Sequence, residues 1–183
     1  MNHKQLTFYA LCGSQRRAST NRALLEAMRT AAPDYINIEI CDLIGDLPIF
    51  NPDREGEQTP EIVEMFAARI RAADGLIIAC PEYAHGIPGG LKNALDWLVS
   101  RDEVPFKPVM IAHSSHRGEL VLAQLTDVLT TMSLVLVTEA FVQLPLVGKS
   151  EEAQRALLSD TRSRELLDAA LRQFSVSIFQ LRV

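Results

Sequence analysis

The hydrophobic positions along the chain predict short strands that alternate with helices. Apolar runs bounded by turn residues are typical of buried strands, and apolar residues repeated at helical spacing predict amphipathic helices. Strands are predicted at residues 6–12, 35–41, 75–80, 107–112 and 133–138. Helices are predicted at about 20–30, from 60, after 90, around 120–129 and from 150 onward. This alternation is typical of a parallel sheet with helices on both faces.

The loop after the third predicted strand carries two prolines and three glycines within residues 81–90. Proline withholds a backbone donor, and glycine lets the backbone approach a ligand closely. In open α/β sheets, ligands bind outside the carboxyl ends of the strands. We therefore expect a binding site at this loop. A second long connection, residues 42–59, is typical of either a binding loop or a surface loop pinned by Leu47 and Phe50.

The loop after the first strand is rich in groups that bind phosphate. Ser19, Thr20 and Asn21 are suitable N-cap residues for the next helix, whose free N–H groups attract anions. Ser14 adds a hydroxyl, and Arg16 adds a permanently charged donor. An ordinary capped turn explains Ser19 or Asn21 alone, but explains the whole set less well. The loop lacks both the Walker A pattern and the dinucleotide fingerprint, so it favours a mononucleotide phosphate.

Two segments resemble the NADPH-dependent FMN reductase family, which has a flavodoxin-like fold. Residues 81–97 resemble its Pro-Glu-Tyr-Asn…Pro-Gly…Leu-Lys-Asn-Ala-Leu/Ile-Asp-Trp-Leu signature, and residues 13–21 resemble its Gly-Ser-x-Arg-x-x-Ser-x-Asn phosphate loop. The resemblance extends to about Val137. It implies a three-layer α/β sandwich with a five-stranded parallel sheet in the order 2-1-3-4-5. No repeat or linker interrupts the chain, so we expect a single flavodoxin-like FMN-binding domain over residues 1–183.

The resemblance also implies an activity. A hydride would pass from NADPH or NADH through FMN to a flavin, quinone or other small acceptor in a ping-pong cycle. Because FMN carries the hydride chemistry, no catalytic side chain is predicted. The phosphate would lie on residues 14–21. The flavin ring would contact Pro81, Glu82, Tyr83, Ala84, His85, Gly86, Ser114 and Ser115. The alternative is an FMN-binding electron carrier that requires a separate reductase.

Two positions depart from the family pattern. Ala84 stands where many relatives have asparagine, so a side-chain hydrogen bond near the flavin is lost unless His85 supplies it. His85 could instead lie at the mouth of the pocket and shape the access of the acceptor. Arg117 could attract the phosphates of the nicotinamide nucleotide, or it could be an exposed cation. The sequence leaves both pairs of alternatives open.

Composition narrows the function classes. The chain has 183 residues, 48% of them hydrophobic and 22% charged, which is typical of a globular domain. A formal net charge of -5 argues against nucleic acid as the main partner. No run approaches the roughly 20 apolar residues of a membrane helix, and residues 2–5 do not resemble a signal peptide. We expect a cytoplasmic protein without a membrane partner.

The sequence gives little support for a disulfide, a redox-active cysteine or a metal site. Cys12, Cys41 and Cys80 are widely spaced, so buried thiols are expected rather than disulfides or a redox centre. His113 and His116 lack a third ligand at convincing spacing, so no metal is predicted. The resemblance implies a homodimer or homotetramer. The segment Trp97, Leu98 and Val99 would support it, because it predicts more apolar surface than one core face needs.

Overall fold

The computed structural model describes residues 5–182. The predicted domain of residues 1–183 extends beyond this range at both ends. Of residues 2–5, which do not resemble a signal peptide, residues 2–4 lie outside the described range. The described strands form one parallel sheet: β1 Leu6–Cys12, β2 Ile36–Ile40, β3 Gly75–Ala79, β4 Pro108–His113, β5 Val135–Leu136 and β6 Val142–Gln143. The order β2-β1-β3-β4-β5 confirms the flavodoxin-like prediction.

Helices cover both faces of the sheet and make the three layers. They are α1 Thr20–Ala31, α2 Glu61–Ala72, α3 Gly89–Asp96, α4 Glu119–Thr131, α5 Glu151–Ser159 and α6 Thr161–Leu181. Short 3-10 turns lie at Pro52–Arg54, Gly56–Gln58 and Thr138–Ala140. The apolar faces of α2, α3 and α4 pack on one side, and those of α1 and α6 pack on the other. None of the helices within residues 5–182 is long and apolar enough to cross a membrane.

The central strand β3 is buried along its whole length, which explains its continuous apolar run. Ile78 faces the core under α2, α3 and α4, whereas Ile77 faces the core under α1 and α6. In the second core, the rings of Phe8 and Phe174 lie 4.8 Å apart. A Cβ atom on Gly75 would lie 2.7 Å from the Phe174 ring, so glycine is needed where α6 crosses β3.

The fifth strand is much shorter than predicted. Only Val135–Leu136 pairs with the start of β4. The chain then leaves the sheet and returns as β6, which pairs with the end of β4 and was missed by the sequence analysis. Leu134 and Val137 look strand-like because both are buried. Apolar character reports burial rather than strand pairing, so the pattern extended the strand too far.

The C-terminal helical segment is two helices rather than one. Ser150 caps α5, since its hydroxyl accepts a hydrogen bond from the Ala153 amide at 3.2 Å. The chain becomes extended at Asp160, and its carboxylate caps α6 by accepting hydrogen bonds from the amides of Arg162 and Ser163. The break therefore arises from a new N-cap within an otherwise continuous helical pattern.

The apolar residues after α3 do not form the exposed surface expected of them. Trp97 and Leu98 are each 1% exposed, and only Val99 is exposed. The connection 42–59 covers them: Trp97 donates from Nε1 to the Pro48 carbonyl at 2.7 Å, and its ring lies 5.1 Å from that of Phe50. The argument for an oligomer from Trp97 and Leu98 is therefore wrong, because a distant loop supplies their cover.

Candidate functional site

A cavity of about 450 Å³ lies at the carboxyl edge of the sheet, where the loops after β1, β3 and β4 meet. It gathers ten of the thirteen residues predicted from the sequence: Ser14, Arg16, Ser19, Thr20, Asn21, Pro81, Glu82, Tyr83, Ser114 and Ser115. Strands 1, 3 and 4 are neighbours, so segments far apart in the sequence converge at this point. The lining does not include Ala84, His85 or Gly86.

The first loop ends in a capped helix whose amino end borders the cavity. Ser19 is the N-cap of α1 and accepts a hydrogen bond from the Arg22 amide at 3.2 Å. Asn21 lies in the first turn and is 3% exposed, and Ser14 is 6% exposed. Arg16 is exposed and lines the cavity. Helix amides, two buried polar side chains and a guanidinium together suit an anionic group.

Two hydroxyl pairs join the first loop to the other loops. Ser14 Oγ lies 3.2 Å from the Tyr83 hydroxyl oxygen, and Thr20 Oγ1 lies 3.1 Å from Ser114 Oγ. A hydroxyl group can donate one hydrogen bond and accept others at the same time. Each pair therefore holds the loops together while keeping hydrogen-bonding capacity for a ligand.

The loop after β3 contains a tight reversal just beyond the cavity. The amide and carbonyl groups of Tyr83 and Gly86 exchange hydrogen bonds of 3.1 and 2.9 Å. Between them, Ala84 and His85 have φ values of 49° and 62°. Two successive left-handed residues are typical of a type I′ turn, and this conformation costs non-glycine residues energy. Asparagine tolerates it better than alanine, so the family's asparagine at position 84 has a conformational reason as well.

Helix α4 holds this turn in place. Glu82 accepts a hydrogen bond from the Val121 amide at 3.1 Å, and Gln124 donates to the His85 carbonyl at 3.0 Å. The side chain of His85 is 79% exposed, and its Nδ1 lies 3.3 Å from a Glu82 carboxylate oxygen. This exposure and its absence from the lining favour the interpretation of His85 as a residue at the pocket mouth. Contact of Ala84, His85 and Gly86 with a flavin stays a prediction.

The loop after β4 is organised by a buried histidine that sequence analysis considered only as a metal ligand. His113 is 1% exposed, and its Nε2 lies 2.5 Å from the carbonyl oxygen of Arg117. Gly118 has a φ of 112°, and a Cβ there would lie 2.9 Å from His113 Cε1. Arg117 also donates its amide to Ser115 Oγ at 3.0 Å. These contacts direct the loop so that Ser115 and Arg117 line the cavity.

Apart from Arg117, the rest of the lining comes from residues that sequence reasoning did not assign to the site. They are Ala18, His113, Gly118, Val147, Gly148 and Gln154. The last three belong to the chain after β6, where the family resemblance had already ended. The amides of Leu146 and Val147 both donate to the Ser114 carbonyl, at 2.8 and 3.2 Å, and so bring this segment to the site. The position of the segment after β6 depends on β6 itself, a strand that the hydrophobic pattern of the sequence did not predict.

The three cysteines are free and buried, as expected. Burial raises the pKa of the Cys12 thiol, and it raises the pKa of Cys80 to about 12. The thiolate is the reactive form of cysteine, so both side chains are protonated and inert at neutral pH. Redox chemistry at this edge would therefore depend on a bound group rather than on these thiols.

The loop after β1, the loop after β3 and the strands of the sheet all lie within a segment that matches a known family. The family model for NADPH-dependent FMN reductase matches residues 6–147. The chain belongs to the NADPH-dependent FMN reductase family. The sequence resemblance is thereby confirmed, and the family relationship extends past Val137 to include β6 and the segment up to Val147.

Relatives of the chain include several reductases. A quinone reductase of Escherichia coli (strain K12) is 38% identical over 115 residues, which is 61% of this chain and 61% of that protein. The matched part thus spans less than two thirds of that relative. An NAD(P)H-dependent FMN reductase of Pseudomonas aeruginosa is 34% identical over 177 residues, which is 94% of this chain and 95% of that protein.

A solved structure resembles the whole described fold. The flavoenzyme NAD(P)H:(acceptor) oxidoreductase FerB from Paracoccus denitrificans superposes with a TM-score of 0.81 at 26% identity. The superposition covers 96% of this chain and 98% of that chain. The shared architecture therefore includes α5 and α6, the part of the chain for which sequence signals were weakest.

Proposed function

We propose that this family member is an NAD(P)H-dependent oxidoreductase that holds FMN in the cavity at the carboxyl edge of the sheet. The observation that carries the proposal is the convergence of the first loop and the two later loops on one cavity of about 450 Å³. The family match and the names of the relatives support the same activity.

The phosphate of FMN would lie at the amino end of α1. Backbone amides and the helix dipole favour an anion at this position. Arg16 would add a charge-assisted hydrogen bond, and Ser14, Ser19 and Asn21 would add neutral ones. The donor set fits a phosphate monoester, because nearly every group near the helix start is a donor or a hydroxyl.

The ring of FMN would lie between the segments 81–83 and 113–118. Glu82 is held by the Val121 amide and by His85, so its carboxylate serves to fix the loop. When bound, FMN would supply the hydride chemistry between a nicotinamide nucleotide and a quinone or other small acceptor. Tyr83 is 46% exposed at the rim, and Arg117 lines the cavity close by. We propose that donor and acceptor use this rim in turn, as a ping-pong cycle requires.

The electron-carrier alternative is less well supported. A carrier that docks on a separate reductase is expected to present a strongly acidic face around its flavin. Here Arg16 and Arg117 line the cavity, and Glu82 is the single carboxylate in the lining. A basic rim suits the phosphates of a nicotinamide nucleotide better than it suits an acidic docking face.

The proposal is tested by flavin titration and turnover. The fluorescence of FMN should be quenched on binding, and FMN should bind more tightly than FAD. The protein loaded with FMN should then oxidise NADPH or NADH in the presence of a quinone acceptor, without an added reductase. Equal or tighter FAD binding would overturn the mononucleotide assignment. Flavin binding without nucleotide oxidation would favour the carrier.

A matched pair of variants tests the phosphate position. Arg16→Ala should weaken FMN binding by about 1.5–3 kcal/mol, because one charge-assisted contact is lost. Arg17→Ala removes a neighbouring exposed charge that does not line the cavity, so its FMN dissociation constant should change little. If both variants bind FMN equally well, the phosphate lies elsewhere.

We also propose a homodimer or homotetramer, on the basis of the family resemblance. Light scattering at micromolar concentration tests this, and a monomer would reject it. Location in the cytoplasm stays a prediction.

A further inference from the structure

Two buried hydrogen-bond acceptors in the cavity lining have no partner in the protein. Within residues 5–182, the buried side-chain atoms without a hydrogen-bond partner are Asn21 Oδ1 and His113 Nδ1. Both side chains line the cavity, and the residues are only 3% and 1% exposed. Buried polar atoms in folded proteins are almost always hydrogen-bonded, so two exceptions among the residues of one cavity call for a partner from outside the protein chain.

The geometry of His113 determines which of its nitrogens accepts. Nε2 lies 2.5 Å from the Arg117 carbonyl oxygen, and a carbonyl oxygen can only accept. Nε2 therefore carries the proton. In a neutral imidazole the other nitrogen, Nδ1, is then a bare acceptor. The lining residues His113 and Asn21 thus carry an imidazole acceptor and an amide oxygen that no group of the described protein satisfies.

The two acceptors flank the junction between the first loop and the loop after β4. Asn21 directly follows Thr20, and His113 directly precedes Ser114. The hydroxyls of Thr20 and Ser114 lie 3.1 Å apart and form that junction. Asn21 belongs to the first turn of α1 and His113 ends β4, so both residues border this junction.

Two hydrogen-bond acceptors require a ligand that carries at least two hydrogen-bond donors. A phosphate at neutral pH offers them no donor of note, and the start of α1 already supplies donors for it. The oxidised flavin ring carries a single N–H, which cannot serve both atoms. The ribityl chain joins the phosphate to the ring and carries several hydroxyl groups, each of which can donate.

We propose that ribityl hydroxyls of the bound flavin donate hydrogen bonds to His113 Nδ1 and Asn21 Oδ1. His113 is then a positioning residue with two contacts: Nε2 fixes the Arg117 loop, and Nδ1 binds the polyol. This inference rests on the proposed flavin site, and it extends that site to a histidine outside the two motifs that identify the family.

A spectroscopic experiment tests the contact directly. The full chain is labelled with 15N-histidine, and long-range 1H–15N correlation spectra are recorded alone, with riboflavin and with lumiflavin. The chain has four histidines, and the spectrum of His113→Gln assigns the relevant signal. Riboflavin has the ribityl chain and lumiflavin lacks it, while both have the ring N–H. The His113 Nδ1 resonance should shift with riboflavin and stay unchanged with lumiflavin.

Two variants separate the functions of the two nitrogens. The amide nitrogen of glutamine can replace Nε2, so His113→Gln keeps a donor for the Arg117 carbonyl but loses the acceptor at Nδ1. Asparagine places its amide near Nδ1, so His113→Asn keeps an acceptor there and loses the loop contact. The ratio of riboflavin to lumiflavin affinity should fall about 3- to 10-fold in His113→Gln and be largely retained in His113→Asn. Asn21→Ala should lower the same ratio.

The outcomes distinguish this inference from the proposed function. If flavins bind but lumiflavin shifts Nδ1 as riboflavin does, the ring N–H is the donor and the ribityl assignment is overturned. If flavins bind with no Nδ1 shift and an unchanged affinity ratio in His113→Gln, His113 has a structural function alone. If neither FMN nor riboflavin nor lumiflavin binds, the flavin site itself is rejected, and this inference with it. Because the spectra use the unmutated chain, poor folding of a variant would not remove the test.

Discussion

The two edges of the sheet treat polar groups in opposite ways. At the amino edge, Glu103 has a side chain only 4% exposed, and it accepts hydrogen bonds from Arg101 at 3.1 Å and from Arg71 at 2.8 Å. Arg101 also pairs with Glu64 at 2.8 Å. Lys107 donates to the Ala73 carbonyl at 2.7 Å and so satisfies the end of α2. Charges there are paired with one another.

At the carboxyl edge, some hydrogen-bonding groups have no partner within the described protein. Two buried acceptors lack protein partners, and Ala84 and His85 hold left-handed conformations. Hydroxyl pairs, rather than ion pairs, join the loops. A cavity of about 430 Å³ also exists at the amino edge, but the charges of Glu64, Arg71, Arg101 and Glu103 in its lining satisfy each other. Cavity size therefore does not separate the two edges, whereas unsatisfied hydrogen-bonding potential does.

This difference suggests that the amino edge contributes mainly to folding stability and the carboxyl edge mainly to ligand binding, which mutations at each edge can test. Substitutions at the amino edge should reduce folding stability and leave ligand binding unchanged. Substitutions at the carboxyl edge should change binding with little loss of stability, since strain and unpaired groups are typical of functional sites.

The largest effect on stability is expected from Glu103→Gln. The variant weakens three charge-assisted hydrogen bonds, one from Arg71 and two from Arg101, and leaves a half-buried Arg101 with a poorer partner. The free energy of unfolding should fall by about 2–3 kcal/mol, as measured by urea denaturation. The FMN dissociation constant should stay the same. Glu39→Gln is the matched control: its pair with Arg69 is largely exposed, so the loss should be below about 1 kcal/mol. Equal losses in both variants would contradict the comparison.

The same ion pairs predict a decline in stability at acid pH. Hydrogen bonds from Arg101 and Arg71, opposed by desolvation, lower the pKa of Glu103 to about 2. An unfolded glutamate titrates near pH 4.3, so the unfolded state binds the proton first as the pH falls. The contribution of Glu103 is therefore fully present above about pH 4.5 and is lost as the pH falls towards 2. Melting temperatures measured between pH 6 and 2 should show this decline, and Glu103→Gln should reduce its slope. Parallel curves for the two proteins would exclude Glu103 as the cause.

A smaller effect, confined to binding, is expected from Tyr83→Phe. The variant removes the hydrogen bond to Ser14 that joins two loops of the cavity. FMN binding should weaken by about 0.5–1.5 kcal/mol, while urea denaturation should change little because Tyr83 is 46% exposed. A double-mutant cycle with Ser14→Ala tests whether the two residues act together. Strictly additive losses in FMN affinity would show that the two residues act independently and that their mutual hydrogen bond does not contribute to binding.

The smallest effect is expected from Ala84→Gly, and its sign is unusual. Glycine adopts the left-handed conformation of position 84 without steric cost, so the variant should be more stable by about 0.5–1 kcal/mol. Ala156→Gly, at an exposed position within α5, should instead destabilise the protein by about 1 kcal/mol. Thermal denaturation of the two variants checks both signs. Destabilisation by Ala84→Gly would mean that the turn is not strained.

Local signals in the sequence were sufficient for most elements. The strand Leu6–Cys12 was predicted with its observed bounds, and the N-cap of α1, Ser19, was among the three candidates in the sequence. Both kinds of feature depend on residues within a few positions of one another, which a single sequence displays. The sheet order and the converging loops came from the family motifs, whose spacing fixes which strand ends carry polar residues.

Contacts between distant segments decided the rest. Trp97 was expected to add apolar surface, but the 42–59 connection covers it. The apolar run at 133–138 was predicted as one strand, but only Val135–Leu136 pairs with β4, and the edge is continued by β6 farther along the chain. His113 had no distinctive neighbours in the sequence, yet its burial against Gly118 and its bond to the Arg117 carbonyl make it the centre of a loop. The periodicity of apolar residues predicts which side chains are buried. It does not predict which segment packs against them, because that segment can lie tens of residues away in the sequence. The sequence alone therefore determined the fold class and the polar residues of the first loop, whereas tertiary packing decided which polar atoms of the cavity lining remain unpartnered.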